Sequence, residues 1–232
     1  MGAELNNEHG SLETAVAGQY DFTIGEVLSE AWARIDGYKL PYAIITSVYF
    51  LVYFIALVLV IAGLGEEESA RAQAVIQLLS FAMMPMSAAL TMMGLHMAMG
   101  RPITVKQLFA YYNSKGLAII GLQIVMMMAI VLGLLLFIIP GIYLSIALMF
   151  AVPLMLEKNL SIIDAFEASR KAVTHHWFKL FGLLFVMGLI LFLSMLPLGI
   201  GLIWTMPMMM AVIGVLYRRM FGISEQADSL LL

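Results

Sequence analysis

Six stretches of this chain run without a formal charge at or near the length needed to cross a bilayer: Leu40 to Leu64, Ala74 to Met99, Gly116 to Ile139, Gly141 to Leu156, Leu180 to Leu196 and Leu198 to Tyr217. A hydrocarbon core of about 30 Å takes roughly 20 apolar residues in a helix. The fourth stretch is short, which suits a tilted or partly inserted segment. Pro140-Gly141 and Pro197 interrupt what would otherwise be over-long apolar runs. Proline lacks the donor a continuing helix requires, so each marks a tight turn between two spans.

Between these stretches a second pattern recurs. Thr23-Ile24-Gly25-Glu26, Thr104-Val105-Lys106-Gln107 and Ser161-Ile162-Ile163-Asp164 each place a hydroxyl residue three positions before Glu, Gln or Asp. That is the spacing of a helix-capping box, with Asp the shorter and weaker third partner. Phe22, Ile103 and Leu160 precede the caps as hydrophobic staples would. Apolar residues then recur at helical spacing: Ile24, Val27, Leu28, Ala31, Trp32 and Ile35 in the first copy; Val105, Leu108, Phe109 and Tyr112 in the second; Ile162, Ala165, Phe166, Ser169 and Val173 in the third. A lysine stands at the entry to the next apolar stretch each time (Lys39, Lys115, Lys179), and the second helix of each hairpin holds an internal proline (Pro85, Pro153, Pro207). The predicted fold is therefore all-α: a polytopic membrane bundle of about six transmembrane helices. It is built from three parallel repeats of an amphipathic cytoplasmic helix followed by a transmembrane hairpin, over about 21–101, 102–158 and 159–222. Residues 1–20 are expected to form a disordered cytoplasmic tail, and 223–232 a second tail.

Charge gives the orientation. Arg71, beside Glu66, Glu67 and Glu68, is the one basic residue of twelve between the first two spans. The other eleven (Arg34, Lys39, Arg101, Lys106, Lys115, Lys158, Arg170, Lys171, Lys179, Arg218 and Arg219) fall on the opposite face. Cytoplasmic loops are enriched in Lys and Arg, so both chain ends are predicted to be cytoplasmic. Trp32, Tyr38, Tyr42, Tyr111, Tyr112 and Trp177 gather on the same side, as interfacial anchors do. Hydrophobic residues make up 62% of the 232 positions and charged residues 12%, about half the share in ordinary soluble domains. The net charge of −3 gives no sign of a nucleic-acid partner, and the absence of cysteine removes disulfides and thiol chemistry. The start, Met1 to Gln19, lacks the basic and apolar regions of a signal peptide.

The segments Leu136-Phe137-Ile138-Ile139-Pro140-Gly141-Ile142-Tyr143, Pro153-Leu154-Met155-Leu156-Glu157 and Ser161-Ile162-Ile163-Asp164-Ala165-Phe166-Glu167-Ala168-Ser169 resemble the YciC-like bacterial inner-membrane proteins. They are also similar to the membrane domain attached to some glycerophosphodiester phosphodiesterases. The resemblance covers about the last two thirds of the chain. It implies a multi-pass fold in a bacterial plasma membrane and no reaction, because the phosphodiesterase's catalytic domain is not in this sequence.

Candidate chemistry is sparse. Intramembrane ionisable residues usually mark ion or proton paths, and His96 is the one titrating His, Asp, Glu, Lys or Arg within the six stretches. The 20 methionines raise Cu(I) binding, starting from His96, Met97 and Met99. Consecutive methionines point around a helix, however, and suit apolar filling better. Glu167, Lys171 and His175 share a helix face as a salt-bridged surface would, while His175-His176 is a poor chelate because neighbouring helical residues diverge. No phosphate loop, paired-histidine zinc motif or serine elbow occurs. No catalytic, cofactor-binding or metal residue is assigned, and the chain is not expected to be an enzyme.

The expected role is a membrane scaffold or accessory protein, with lipid held among its hairpins and a protein partner or a second copy beside it. Two alternatives have named residues. A transporter or channel for a neutral or amphiphilic solute would line its path with Thr46, Ser47, Ser87, Thr91, Gln123, Ser145, Ser194 and Thr205. A lipid enzyme would bring Glu157, Asp164 and His175 to one cleft.

Overall fold

The computed structural model describes residues 10–64, 69–112 and 115–223, so Glu66, Glu67, Glu68, residues 1–9 of the first expected tail and 224–232 of the second lie outside it. Among the described residues the secondary structure is helical throughout, with five segments long and apolar enough to cross a membrane. These are Lys39–Gly63, Arg71–Ala98, Gly116–Leu136, Ile138–Glu157 and Trp177–Met195, with mean hydropathy from 1.6 to 2.8. The chain is an integral membrane protein by the length and composition of these helices. The sixth expected span corresponds to a 20-residue helix, Leu202–Phe221, which is less apolar than the five and buries eleven of its residues.

In chain order the elements are α1 (Leu12–Val16), α2 (Ile24–Arg34), α3 (Lys39–Leu64), α4 (Ser69–Ala82), α5 (Met84–Ala98), a 3-10 helix (Val105–Phe109), α6 (Gly116–Leu136), α7 (Ile138–Ala147), α8 (Ala151–Glu157), α9 (Ile162–His175), α10 (Trp177–Met195) and α11 (Leu202–Phe221). The three capping strings start helices as their spacing predicts. Thr23 Oγ1 accepts from the Glu26 amide (3.2 Å), and Ser161 Oγ accepts from the Asp164 amide (3.2 Å) while donating to its carboxylate (2.6 Å). Gln107 Oε1 accepts from the Thr104 amide (3.0 Å), but the element it caps is a short 3-10 helix rather than an α-helix. The stripes turn inward at Val27, Ala31 and Ile35, at Leu108, and at Ala165, Ser169 and Val173. Trp32, Phe109 and Tyr112, counted in the stripes by spacing, stay exposed.

Three features depart from the expectation. First, part of the segment assigned to a tail is packed. Ser11 caps α1, Ala15 is fully buried, the Gly10 amide donates to the Arg219 carbonyl (3.2 Å), and the Tyr20 hydroxyl donates to the Ala172 carbonyl (2.8 Å).

Second, the second and fourth spans are each two helices. The second breaks at Met83 and the fourth at Leu148–Phe150, with Pro85 and Pro153 in the first turns that follow. A missing N–H is tolerated there, because first-turn amides have no intrahelical partner. For the same reason Pro140 sits inside the first turn of α7, and the chain reverses earlier, at extended Phe137. Pro197 does mark a turn, completed by left-handed Leu198 and Gly199 (φ 53° and 78°). Pro207 lies within unbroken α11.

Third, the first turn of α7 lies beside the amino end of α10. Trp177 Nε1, at the start of α10, donates to the Tyr143 carbonyl (3.2 Å). Tyr143 is about 8 Å along α7 from its first residue at 1.5 Å per residue. The Phe137 turn is thus on the order of 10 Å from the Trp177 entry, well under the roughly 30 Å of a hydrocarbon core. Ile139 and Pro140 accordingly share a groove with Trp177, Phe178 and Lys179.

The interior is organised around α11, which packs most extensively on α5 and α2. Gly94 and Gly214 set the α5–α11 crossing: a methyl on Gly94 would overlap the Met210 carbonyl, and one on Gly214 the Gly94 carbonyl. Small residues let membrane helices approach this closely. Outside this core α3, α6 and α10 turn whole apolar faces outward, among them Phe54, Leu59, Leu132, Leu135, Phe185 and Phe192. So large an apolar surface calls for a hydrocarbon solvent or a protein cover.

Candidate functional site

The polar chemistry gathers where α1, α2, α9 and the carboxyl end of α11 meet. Glu30 on α2 pairs with Arg218 and Arg219 of α11 (2.8 Å to Arg219 Nη2) and with Arg34 (3.7 Å). Glu26 reaches Arg219 at 3.3 Å, and Arg218 Nη1 donates to the Ala98 carbonyl at 3.0 Å, drawing α5 into the same knot. Burial works to raise the Glu30 carboxyl, but Arg219, Arg218 and Arg34 outweigh it and hold its pKa below the usual carboxylate value. The network fastens α2 and α5 to α11, the last helix.

Each titratable residue singled out by sequence has its own local partners. Glu157 is buried, accepts from the Tyr217 hydroxyl (2.7 Å) and lies 3.3 Å from Lys158 Nζ. Asp164 is spent on the Ser161 cap. His175 Nε2 lies 3.1 Å from the Val16 carbonyl, against α1. Glu167 and Lys171 form the expected four-residue pair at 2.6 Å. His96 is buried, with Nδ1 3.3 Å from Gln107 Nε2, so the second capping string is tied to α5. Met97 is wholly enclosed. Among the described residues no three His, Cys, Asp or Glu side chains come together as a metal site would need. The hydroxyls proposed for a solute path mostly bond back to their own helices: Ser87 to Met84, Thr91 to Ser87, Ser145 to Ile142, Ser194 to Ile190 and Thr205 to Gly201. Gln123 Nε2 reaches Met84 O and Ser87 Oγ, both at 3.4 Å, linking α6 to α5.

Sequence reasoning did not find the most site-like feature, a groove of about 710 Å³ between α7 and the α9–α10 junction. It is lined by Ile139, Pro140 and Tyr143 on one side and by Thr174, His175, His176, Trp177, Phe178 and Lys179 on the other. That volume falls within the range of small-molecule sites. The groove forms where the first turn of α7 lies against the amino end of α10. Trp177 is fixed by its bond to Tyr143 and stacks on Phe181 (ring centroids 5.3 Å), with Phe178 edge-on at 5.0 Å. The Tyr143 and Thr174 hydroxyls satisfy each other at 2.6 Å. Lys179 pairs with Asp21 and also lies over the Phe22 ring. The Lys179 side chain and the Phe22 amide hold the Asp21 carboxyl below the usual range. Neither Glu157 nor Asp164 lines this groove.

Compared with known proteins, the chain matches no family model, no curated protein and no solved structure. The one advance signal of the groove is the string Trp177-Phe178-Lys179, an aromatic pair beside a cation at the start of an apolar helix.

Proposed function

We propose that this is a non-catalytic, multi-pass protein of a bacterial plasma membrane, a scaffold or accessory subunit that holds lipid against its hairpins. In this reading α11 is a sixth crossing, the three cap-plus-hairpin units are repeats, and both chain ends face the cytoplasm. The family it would join is the YciC-like one, on the resemblance of the segments around Pro140, Pro153 and Ser161. One observation carries the proposal: the outward faces of α3, α6 and α10 are apolar, whereas the polar networks are gathered on α1, α2, α9 and the end of α11 and are internally paired. Glu157, Asp164 and His175 are each held by separate partners, which supports a structural role over a lipid enzyme. The back-bonded hydroxyls likewise support it over a solute path. The test is reconstitution of the purified protein into phospholipid vesicles. The proposal expects neither solute flux nor chemical change of the lipid, and unaided turnover or transport would overturn it.

A further inference from the structure

We propose that the groove between α7 and the α9–α10 junction binds one zwitterionic phospholipid, its phosphate at Lys179, its ammonium at Asp21 and one acyl chain along Ile139, Pro140 and Phe178. This rests on the reading of the chain as a lipid-holding membrane protein and specifies where the lipid sits. Four observations point to that ligand. The groove belongs to the helix that enters the membrane at Trp177 and Lys179, where headgroups and the first methylenes of a lipid lie. Its apolar lining is open rather than packed, with Ile139 at 78% and Phe178 at 85% of full exposure. The hydroxyls in its wall are already bonded to each other, so a chain sliding past them leaves no polar group unpaired. A volume of about 710 Å³ admits a chain and its glycerol end but not a folded peptide.

The headgroup follows from charge. A lone lysine would favour a net-anionic lipid, but Lys179 stands beside Asp21, whose side chain is 75% exposed and which stays ionised because Lys179 and the Phe22 amide hold its pKa down. A cation and an anion side by side match a phosphate diester carrying an ammonium group. A second anion would meet Asp21. The neighbouring titratable groups are His175, turned to the Val16 carbonyl, and His176, whose ring lies 4.8 Å from Tyr20. Neither opposes this arrangement.

The test is native mass spectrometry of the full chain in detergent, titrated with phosphatidylethanolamine, phosphatidylglycerol and diacylglycerol of identical chains. The expected result is one phosphatidylethanolamine retained about tenfold more tightly than diacylglycerol and at least as tightly as phosphatidylglycerol. Lys179→Gln should abolish the preference over diacylglycerol, while Ile139→Trp should lower retention of all three. Both positions are accessible enough that an unchanged melting temperature will certify the fold. Diacylglycerol binding equally well, a tenfold preference for phosphatidylglycerol, or indifference to Ile139→Trp would each overturn the assignment. Retained lipid that ignores both substitutions would refute this groove while leaving the lipid-holding role intact. Lipid that binds here but is turned over or moved across vesicles would refute that role and leave the groove.

Discussion

The α5–α11 crossing allows the sharpest test of the packing. Gly94→Ala would place a methyl against the Met210 carbonyl, a backbone atom that no rotamer change can move aside. Overpacking a close-packed contact typically costs about 1–3 kcal/mol. Because the obstacle is backbone and α11 is held by α2 and α5 together, the upper part of that range applies, about 3 kcal/mol. For a chain of this size each kcal/mol shifts the midpoint by roughly 2–4 °C, so a fall of about 6–12 °C is expected. Gly188→Ala on α10 is the control, since a methyl there meets nothing within 4 Å. Alanine's better helix propensity should leave that variant unchanged or up to about 1 kcal/mol more stable. The assay is thermal unfolding of both variants in one detergent, followed by helical circular dichroism. Equal midpoints for the two would refute the claim that this crossing depends on glycine.

Other parts of the account make separate predictions. Ser169 donates to the Ala147 carbonyl (2.7 Å) and accepts from the Phe150 amide (3.2 Å) at the buried break between α7 and α8. Ser169→Ala should therefore cost about 2–3 kcal/mol by leaving both unsatisfied, against about 1 kcal/mol for loss of the Ser161 cap in Ser161→Ala; chemical denaturation of the two variants compares them. Glu30→Gln should destabilise by about 1–2 kcal/mol, between the exposed and buried limits for ion pairs. Because Glu30 titrates lower folded than unfolded, its contribution is present above the unfolded value of about 4.3 and is lost as pH falls through the lower folded value. Melting curves of wild type and Glu30→Gln should therefore converge as pH drops below about 4. Spin labels at Ile139 and Lys179 should lie within about 20 Å of each other, as the Trp177–Tyr143 contact requires, and a separation beyond about 30 Å would refute that contact.

What the sequence disclosed and what it hid divide by the range of the interactions. The caps at Thr23, Thr104 and Ser161 depend on residues three positions apart, and all three were legible. Apolar length announced the spans for the same reason. The order of residues 10–20 was not legible, because Gly10, Ala15 and Tyr20 are held by α9 and α11, over a hundred and fifty residues away. No local signal announced the break inside the fourth span. Its location instead depends on Ser169, about twenty residues downstream, which receives the backbone groups freed at Ala147 and Phe150. The groove depends on Trp177 meeting Tyr143, a pairing of two helices that no periodicity encodes.

The central claim is that the exposed faces of α3, α6 and α10 meet hydrocarbon while the paired charges of α9 meet water. The chain contains no cysteine, so single cysteines report cleanly. Substituted at Phe54, Val131, Phe192 and Lys171 in native membranes opened to both sides, they can be offered a water-soluble maleimide. Lys171→Cys should label to completion, while Phe54→Cys, Val131→Cys and Phe192→Cys remain unlabelled until detergent is added. Rapid labelling of the last three in intact bilayers would contradict the account.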